Sequence, residues 1–258
     1  MASSGPLRLT VIGAGFLGRV VAEEAQRGGW QVWPVVRSQE SAGSLQPDFP
    51  NAVAADAVLP EFWDRQAPAC EGMVWSMAPS RARPEDDFLA MHRQGAVRAA
   101  RWARHRRIPF VYISSTSVYA EDGGAWVDEE APVATKEARS QAMVEAEQAC
   151  REAGGSVLRC AGLYGRARVL KTDDEGPERW LNLIHVEDAA RAVAIALRNP
   201  GLVLNVCENE PRRRGRPDGQ WPEGMRRARR NKRVSNARLR ALGWRTMAVI
   251  PDENLKPA

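Results

Sequence analysis

Residues 7–18 read Leu7-Arg8-Leu9-Thr10-Val11-Ile12-Gly13-Ala14-Gly15-Phe16-Leu17-Gly18, and this stretch decides the fold. Leu7, Leu9, Val11 and Ile12 form the short apolar run that a buried parallel strand requires. Gly13, Gly15 and Gly18 then fall in G-x-G-x-x-G spacing. In that arrangement the first glycine allows a tight turn, the second lets a pyrophosphate approach the backbone, and the third lets the helix pack on the strand. Phe16, Leu17, Val20, Val21 and Ala25 recur at helical spacing until Gly28-Gly29 stops them. Free N–H groups and the helix dipole favour an anion at that N-terminus. Gly13, Gly15, Phe16, Leu17 and Gly18 are therefore the predicted dinucleotide cradle, the alternative being a Gly-rich structural turn.

Working outward, the second strand spans Trp30 to Val36 and ends at Arg37-Ser38, with no Asp or Glu between Trp30 and Gln39. An acidic residue there would bind the ribose 2′-hydroxyl of NAD, whereas an arginine pairs with the 2′-phosphate of NADP. The expected cofactor is NADP, held by Arg37 and Ser38, with NAD as the alternative if Arg37 is a solvated strand-end residue. Ser38 to Pro50 reads as a loop with a weak helix. Ala52 to Ala55 reads as a short strand that delivers Asp56 either to face the adenine or to cap a loop. Gly72 to Met77 is the fourth strand, and Ser76 and Ala78 at its exit are small enough for backbone to approach a cofactor, as is Ser114 at the end of the fifth.

That fifth strand, from Ile108, ends in Ser114-Ser115-Thr116-Ser117-Val118-Tyr119. Hydroxyls at a strand's C-terminal end lie where α/β enzymes do chemistry, unless they form a Ser/Thr-rich turn that satisfies its own backbone. Helices are expected over 87–107 and 137–153, the second capped by Thr135. Strands follow at Val157 to Cys160, Leu181 to His185 and Leu202 to Val206, with a helix from Val186 to Leu197. The segments Arg166 to Trp180 and Pro211 to Lys232 read as charged loops. Val234 to Trp244 reads as a small helix capped by Ser235. The fold class is α/β, a Rossmann-type doubly wound parallel sheet with a small C-terminal substrate lobe. Residues 1–165 form the core, and 166–258 form the lobe, interleaved with the last core elements at about 181–206 and carrying a basic tail.

Composition bounds the function. The 258 residues are 44% hydrophobic, ordinary for a globular protein, and no run of about 18 apolar residues predicts a membrane span. The first residues lack the basic and apolar regions of a signal peptide, so a cytoplasmic location is expected. Cys70, Cys150, Cys160 and Cys207 form no C-x-x-C and read as buried free thiols, and His92, His105 and His185 show no metal-ligand spacing, so no metal is expected. The net charge of +5 concentrates between Arg212 and Arg233. Such runs supply phosphate contacts to nucleic acids, but with only Trp221 interleaved they read better as a solvated insert.

Together, Gly13 to Gly18, Tyr112 to Tyr119, Leu158 to Gly165, His185-Val186-Glu187-Asp188 and Asn205-Val206 resemble, in order, the motifs of the extended short-chain dehydrogenase/reductase family, in its NAD-dependent epimerase/dehydratase branch. The resemblance implies a Rossmann core, bound NAD(P), a small-molecule substrate and a homodimer packed through the helices at 87–107 and 137–153. It also implies chemistry by a Ser or Thr, a Tyr and, four residues later, a Lys that lowers the Tyr pKa. Ser115 matches the hydroxyl position, with Thr116 beside it. No Tyr-x-x-x-Lys occurs anywhere, and the alignment puts Glu137 and Gln141 at those two positions. A glutamate ionises near pH 4.3 and would need burial to serve as an acid. Glu137 is therefore either an unusual base or a solvated first-turn residue. Tyr119 and Lys136 are the fallback proton carriers. The expectation is an NAD(P)-dependent oxidoreductase or epimerase/dehydratase acting on a small carbonyl, hydroxyl or nucleotide-sugar compound through Ser115, Thr116 and Glu137. The alternative is an NADP-binding sensor without catalysis.

Overall fold

The computed structural model describes residues 5–78, 84–166, 168, 170–171, 177–215, 230–247 and 255–256. β1 (Arg8–Ile12), β2 (Gln31–Val36), β3 (Val53–Ala54), β4 (Gly72–Trp75), β5 (Phe110–Ser115), β7 (Ser156–Cys160) and β12 (Val203–Val206) form one seven-stranded sheet, every pairing parallel. The order is β12-β7-β5-β4-β1-β2-β3. Chain direction across the sheet therefore reverses between β1 and β4, which places the ligand crevice of a doubly wound fold beside the end of β1.

The strands are mostly apolar on both faces, as a sheet covered on both sides requires. Leu9, Val11, Val74, Val111, Leu158 and Leu204 pack with α1 (Phe16–Arg27) and α6 (Val186–Arg198). Ile12, Met73, Trp75, Phe110, Tyr112 and Val157 pack on the other face. They meet α5 (Ala138–Glu152) and a long helical run made of α3 (Glu85–Ala90), a π-helical turn (Met91–Ala96) and α4 (Val97–Arg106). The π turn coincides with Trp75: a Cβ on Gly95 would lie 2.5 Å from the indole, so only glycine admits that ring.

One residue in β2 departs from strand chemistry. Val35 accepts from Gly13 N–H on the β1 side, so Pro34 turns its ring nitrogen toward β3. There β3 begins only opposite Val35, and no donor is required.

Several local expectations change. Glu137, not Thr135, occupies the N-cap of α5, and it makes no side-chain cap bond. Asn236, not Ser235, precedes α7 (Ala237–Ala241), although Ser235 Oγ accepts from Ala237 N–H at 3.3 Å. Part of each charged loop is strand: β10 (Arg179–Leu181) pairs antiparallel with β13 (Arg212–Arg214). β6 (Trp126–Val127) pairs with β14 (Arg233–Val234), β8 (Gly162–Tyr164) with β11 (Leu183–His185), and β9 (Leu170–Lys171) with β15 (Leu255–Lys256). Trp221 and most of the arginine run before Arg230 lie outside the described residues. All four cysteines are buried and free, and no described helix is long and apolar enough to cross a membrane.

Candidate functional site

The β1–α1 turn is shaped by what its glycines exclude. Gly13 stands at φ +90°, and a Cβ there would lie 2.7 Å from the Met77 backbone. A Cβ on Gly18 would meet the Gly13 carbonyl oxygen at 2.1 Å. Both positions are closed to any side chain. Gly15, the N-cap of α1, is the reverse: nothing lies within 4 Å of its Cβ direction, so the backbone there faces open space. The first turn of α1 carries no acidic side chain, and the first N–H groups of a helix have no partner within it. Phe16 is half-buried, whereas Leu17 is 5% exposed and packed in the core, so only its backbone is available to a ligand. Ser76, beside Gly18 at the end of β4, has a buried hydroxyl with no partner. A buried polar atom left unpaired beside an open backbone turn fits a polar group supplied from outside the chain.

At the end of β2, Arg37 is exposed and forms no ion pair with a carboxylate among the described residues. Ser38 serves the fold: it caps α2 (Gln39–Leu45), accepting from Ser41 N–H at 3.2 Å. Asp56 follows β3 and accepts from Val58 N–H at 3.0 Å through Oδ1, which is the loop-capping role. Ala78 is exposed at the β4 exit.

The end of β5 is organised differently. Ser114 is turned into the protein, donating to Glu147 Oε1 at 2.5 Å, so its hydroxyl is not offered to the mouth. Ser115 is half-buried and accepts from Ser117 N–H at 3.1 Å, which starts a 3-10 turn over Thr116–Val118. A hydroxyl has one donor and two acceptor sites, so Ser115 keeps its O–H to donate. Thr116 is 8% exposed. Glu137 is far from the burial that an acid would need. Its side chain is 60% exposed and pairs with Arg230 at 2.5 Å, while Arg230 also donates to the Ala120 carbonyl. Gln141 is exposed. Tyr119 is fully buried and donates to Asn205 Oδ1 at 2.7 Å, and burial pushes its hydroxyl up to about 12. The structure thus places Ser115 and Thr116 together and gives Glu137 and Tyr119 structural partners.

Two groups escape a reading of the sequence alone. Glu147 and Arg159, with side chains 4% and 8% exposed, form a buried ion pair at 2.7 Å, completed by Ser114 and the Glu129 carbonyl. A lone arginine in the apolar run Val157 to Cys160 is the signal that could have found them. The second is Arg168, whose guanidinium carbon sits 4.1 Å from the centre of the Phe16 ring.

Residues 9–181 match the NAD dependent epimerase/dehydratase family. The chain is similar to Protein YeeZ of Escherichia coli K12, 27% identical over 220 residues that cover 78% of this chain and 77% of that protein. Its fold is that of a short-chain dehydrogenase/reductase superfamily protein from Agrobacterium tumefaciens solved with bound NAD (TM-score 0.77, 15% identity, 94% of this chain and 93% of that one). It is also that of the Bordetella bronchiseptica enzyme WbmG in complex with NAD and UDP (TM-score 0.79, 14% identity, 98% and 93%). The chain belongs to the NAD-dependent epimerase/dehydratase family.

Proposed function

We propose that this family member binds a nicotinamide dinucleotide at the β1–α1 turn, prefers NADP, and acts on a small carbonyl, hydroxyl or nucleotide-sugar compound at the end of β5. The observation that carries the reading is Gly15: open backbone at a helix N-terminus, between two glycines whose Cβ positions are sterically closed. The NAD seen in the Agrobacterium and Bordetella structures, which share this fold, supports the same ligand class. Gly13, Gly15, Phe16, Leu17 and Gly18 would hold the pyrophosphate through backbone groups. Ser76, Ala78 and the backbone of Ser114 would line the cofactor, with Asp56 near the adenine. Arg37, exposed beside the Ser38 cap, would pair with a 2′-phosphate that a carboxylate there would repel. A bound nicotinamide supplies or accepts hydride. Ser115 would donate its O–H to the reacting oxygen, with Thr116 beside it, and Glu137 would carry the proton only after leaving Arg230. The domain split follows the same division, residues 1–165 for the cofactor and 166–258 for a small substrate lobe interleaved with the last core elements, α6 and β12.

The reading is tested by titrating the protein with NADP and NAD while following thermal stability. A ligand that binds only the folded state raises the melting temperature with concentration. A shift larger for NADP supports the reading, a shift larger for NAD removes Arg37 from it, and no shift with either overturns it. Carbonyl-dependent oxidation of NADPH, lowered in Ser115→Ala, is the expected activity.

A second reading has its own observation. Glu137 is exposed and tied to Arg230, Tyr119 is buried and bonded to Asn205, and no Tyr-x-x-x-Lys exists. This favours an NADP-binding sensor that binds tightly and turns nothing over. Robust turnover on any compound of a carbonyl and nucleotide-sugar panel removes it. The homodimer is proposed on the outer faces of the helical run 85–106 and α5, and the four buried thiols support a reducing, cytoplasmic setting. Sedimentation at a single-chain mass would overturn the dimer.

A further inference from the structure

We infer that Arg168 closes the dinucleotide cradle, its guanidinium pairing with the pyrophosphate held at α1; this rests on the dinucleotide reading above. Arg168 arrives from far along the chain. Gly165 and Arg168 exchange both backbone hydrogen bonds at 3.0 Å, forming a tight hairpin with Gly165 at φ +102° and Arg166 at φ +50°. Gly165 stands at a left-handed φ that side chains rarely adopt, and a Cβ there would also press on the His185 ring at 2.2 Å.

The two arginines of this hairpin are used differently. Arg166 is fully engaged: it donates to Glu187 on α6 at 2.9 Å and to Glu23 on α1 at 2.5 Å, which pins the hairpin to both helices. Arg168 is exposed, and no carboxylate pairs with it among the described residues. It lies instead over Phe16, the first residue of α1. A cation–π contact of this kind uses no hydrogen bond, so the guanidinium N–H groups of Arg168 remain available to an anion. The first turn of α1 has no acidic side chain to neutralise it. A guanidinium with no described carboxylate partner therefore lies over the first residue of a helix whose first N–H groups have no partner within it, and a pyrophosphate at that N-terminus would satisfy both with charge-assisted hydrogen bonds.

The test measures dissociation constants of the full chain for NADP and NAD over a range of salt, for the wild type, Arg168→Met and Arg168→Lys, with ligand-free melting temperatures alongside. Methionine keeps an apolar stem against Phe16, and lysine keeps the charge. Arg168→Met is expected to weaken both dinucleotides about tenfold or more. It should also flatten their salt dependence and leave the ligand-free melting temperature unchanged, and Arg168→Lys should recover part of the loss. An unchanged affinity in Arg168→Met overturns the inference. So does weaker binding that keeps the wild-type salt dependence, since that would mark a merely structural stack. If the wild type binds neither dinucleotide, the functional reading itself falls and the inference with it.

Discussion

The β1–α1 turn and the β5–α5 mouth open on the same edge of one parallel sheet, and they are built from different materials. The turn is made of backbone: Gly13 and Gly18 are fixed by collisions of 2.7 Å and 2.1 Å, and Gly15 is fixed by the need for empty space. The mouth is made of side chains, and beneath it lies a buried ion pair, Glu147–Arg159, where the sheet would otherwise be apolar. A backbone site tolerates change in every residue except the glycines. A side-chain site can lose its chemistry by single substitutions while its framework persists. In this chain the glycines of the turn are all present, whereas no Tyr-x-x-x-Lys occurs anywhere in the sequence.

This contrast can be broken by measurement. Gly18→Val should be the most damaging change, destabilising by about 5 kcal/mol because the Gly13 carbonyl has nowhere to go. Soluble, normally melting protein would show that the turn can relax. Removing one member of the buried pair, as in Arg159→Met, should cost about 4 kcal/mol, since it strands the Glu147 charge. The double change Glu147→Met with Arg159→Met should recover most of that in denaturant unfolding. If single and double variants fall equally, the pair is not the source.

The third test uses acid. His92 is buried under β5, in contact with Tyr112 Oη at 2.7 Å, and burial, helped by the nearby Arg139 charge, lowers its pKa to about 4. An unfolded histidine titrates near 6.5, so the folded state binds fewer protons between the two values. The contribution of His92 is then fully present above about pH 6.5 and is lost as pH falls toward 4, about 3 kcal/mol in all. A His92→Gln variant should show a flatter stability profile over that window; an identical profile would clear His92 of the effect. Glu137→Gln should be among the mildest, below about 1 kcal/mol, because its pair with Arg230 is exposed. Gly15→Ala sharpens the contrast most cleanly: stability within about 0.5 kcal/mol of wild type, but dinucleotide binding lost. Retained binding would mean that the open backbone at Gly15 is not where the ligand sits.

Legibility in the sequence follows the same division. The glycine turn, the seven strands and the helices beside them are readable because each rests on local rules of spacing, apolar runs and stop residues. Glu147 is not, because in sequence it is an ordinary helical glutamate, and its partner is a strand residue met only after the sheet assembles. Arg168 is hidden for the same reason: its meaning depends on Phe16, more than 150 positions earlier. The π turn is invisible because nothing local demands it; Gly95 makes sense only once Trp75 is opposite. Ser114 looks like one hydroxyl among four, and only strand alternation turns it inward to Glu147.

The proline at 34 and the brevity of β3 have a consequence for how copies of this chain behave toward one another. The open border of a sheet is a template on which a foreign strand can polymerise. Here that border consists of the two residues Val53 and Ala54, and the part of β2 left bare before them is interrupted by a residue with no N–H to offer. A stray strand would find too short a ladder to hold, which protects a family fold with a long, apolar, wholly parallel sheet from fibril-like growth at this side.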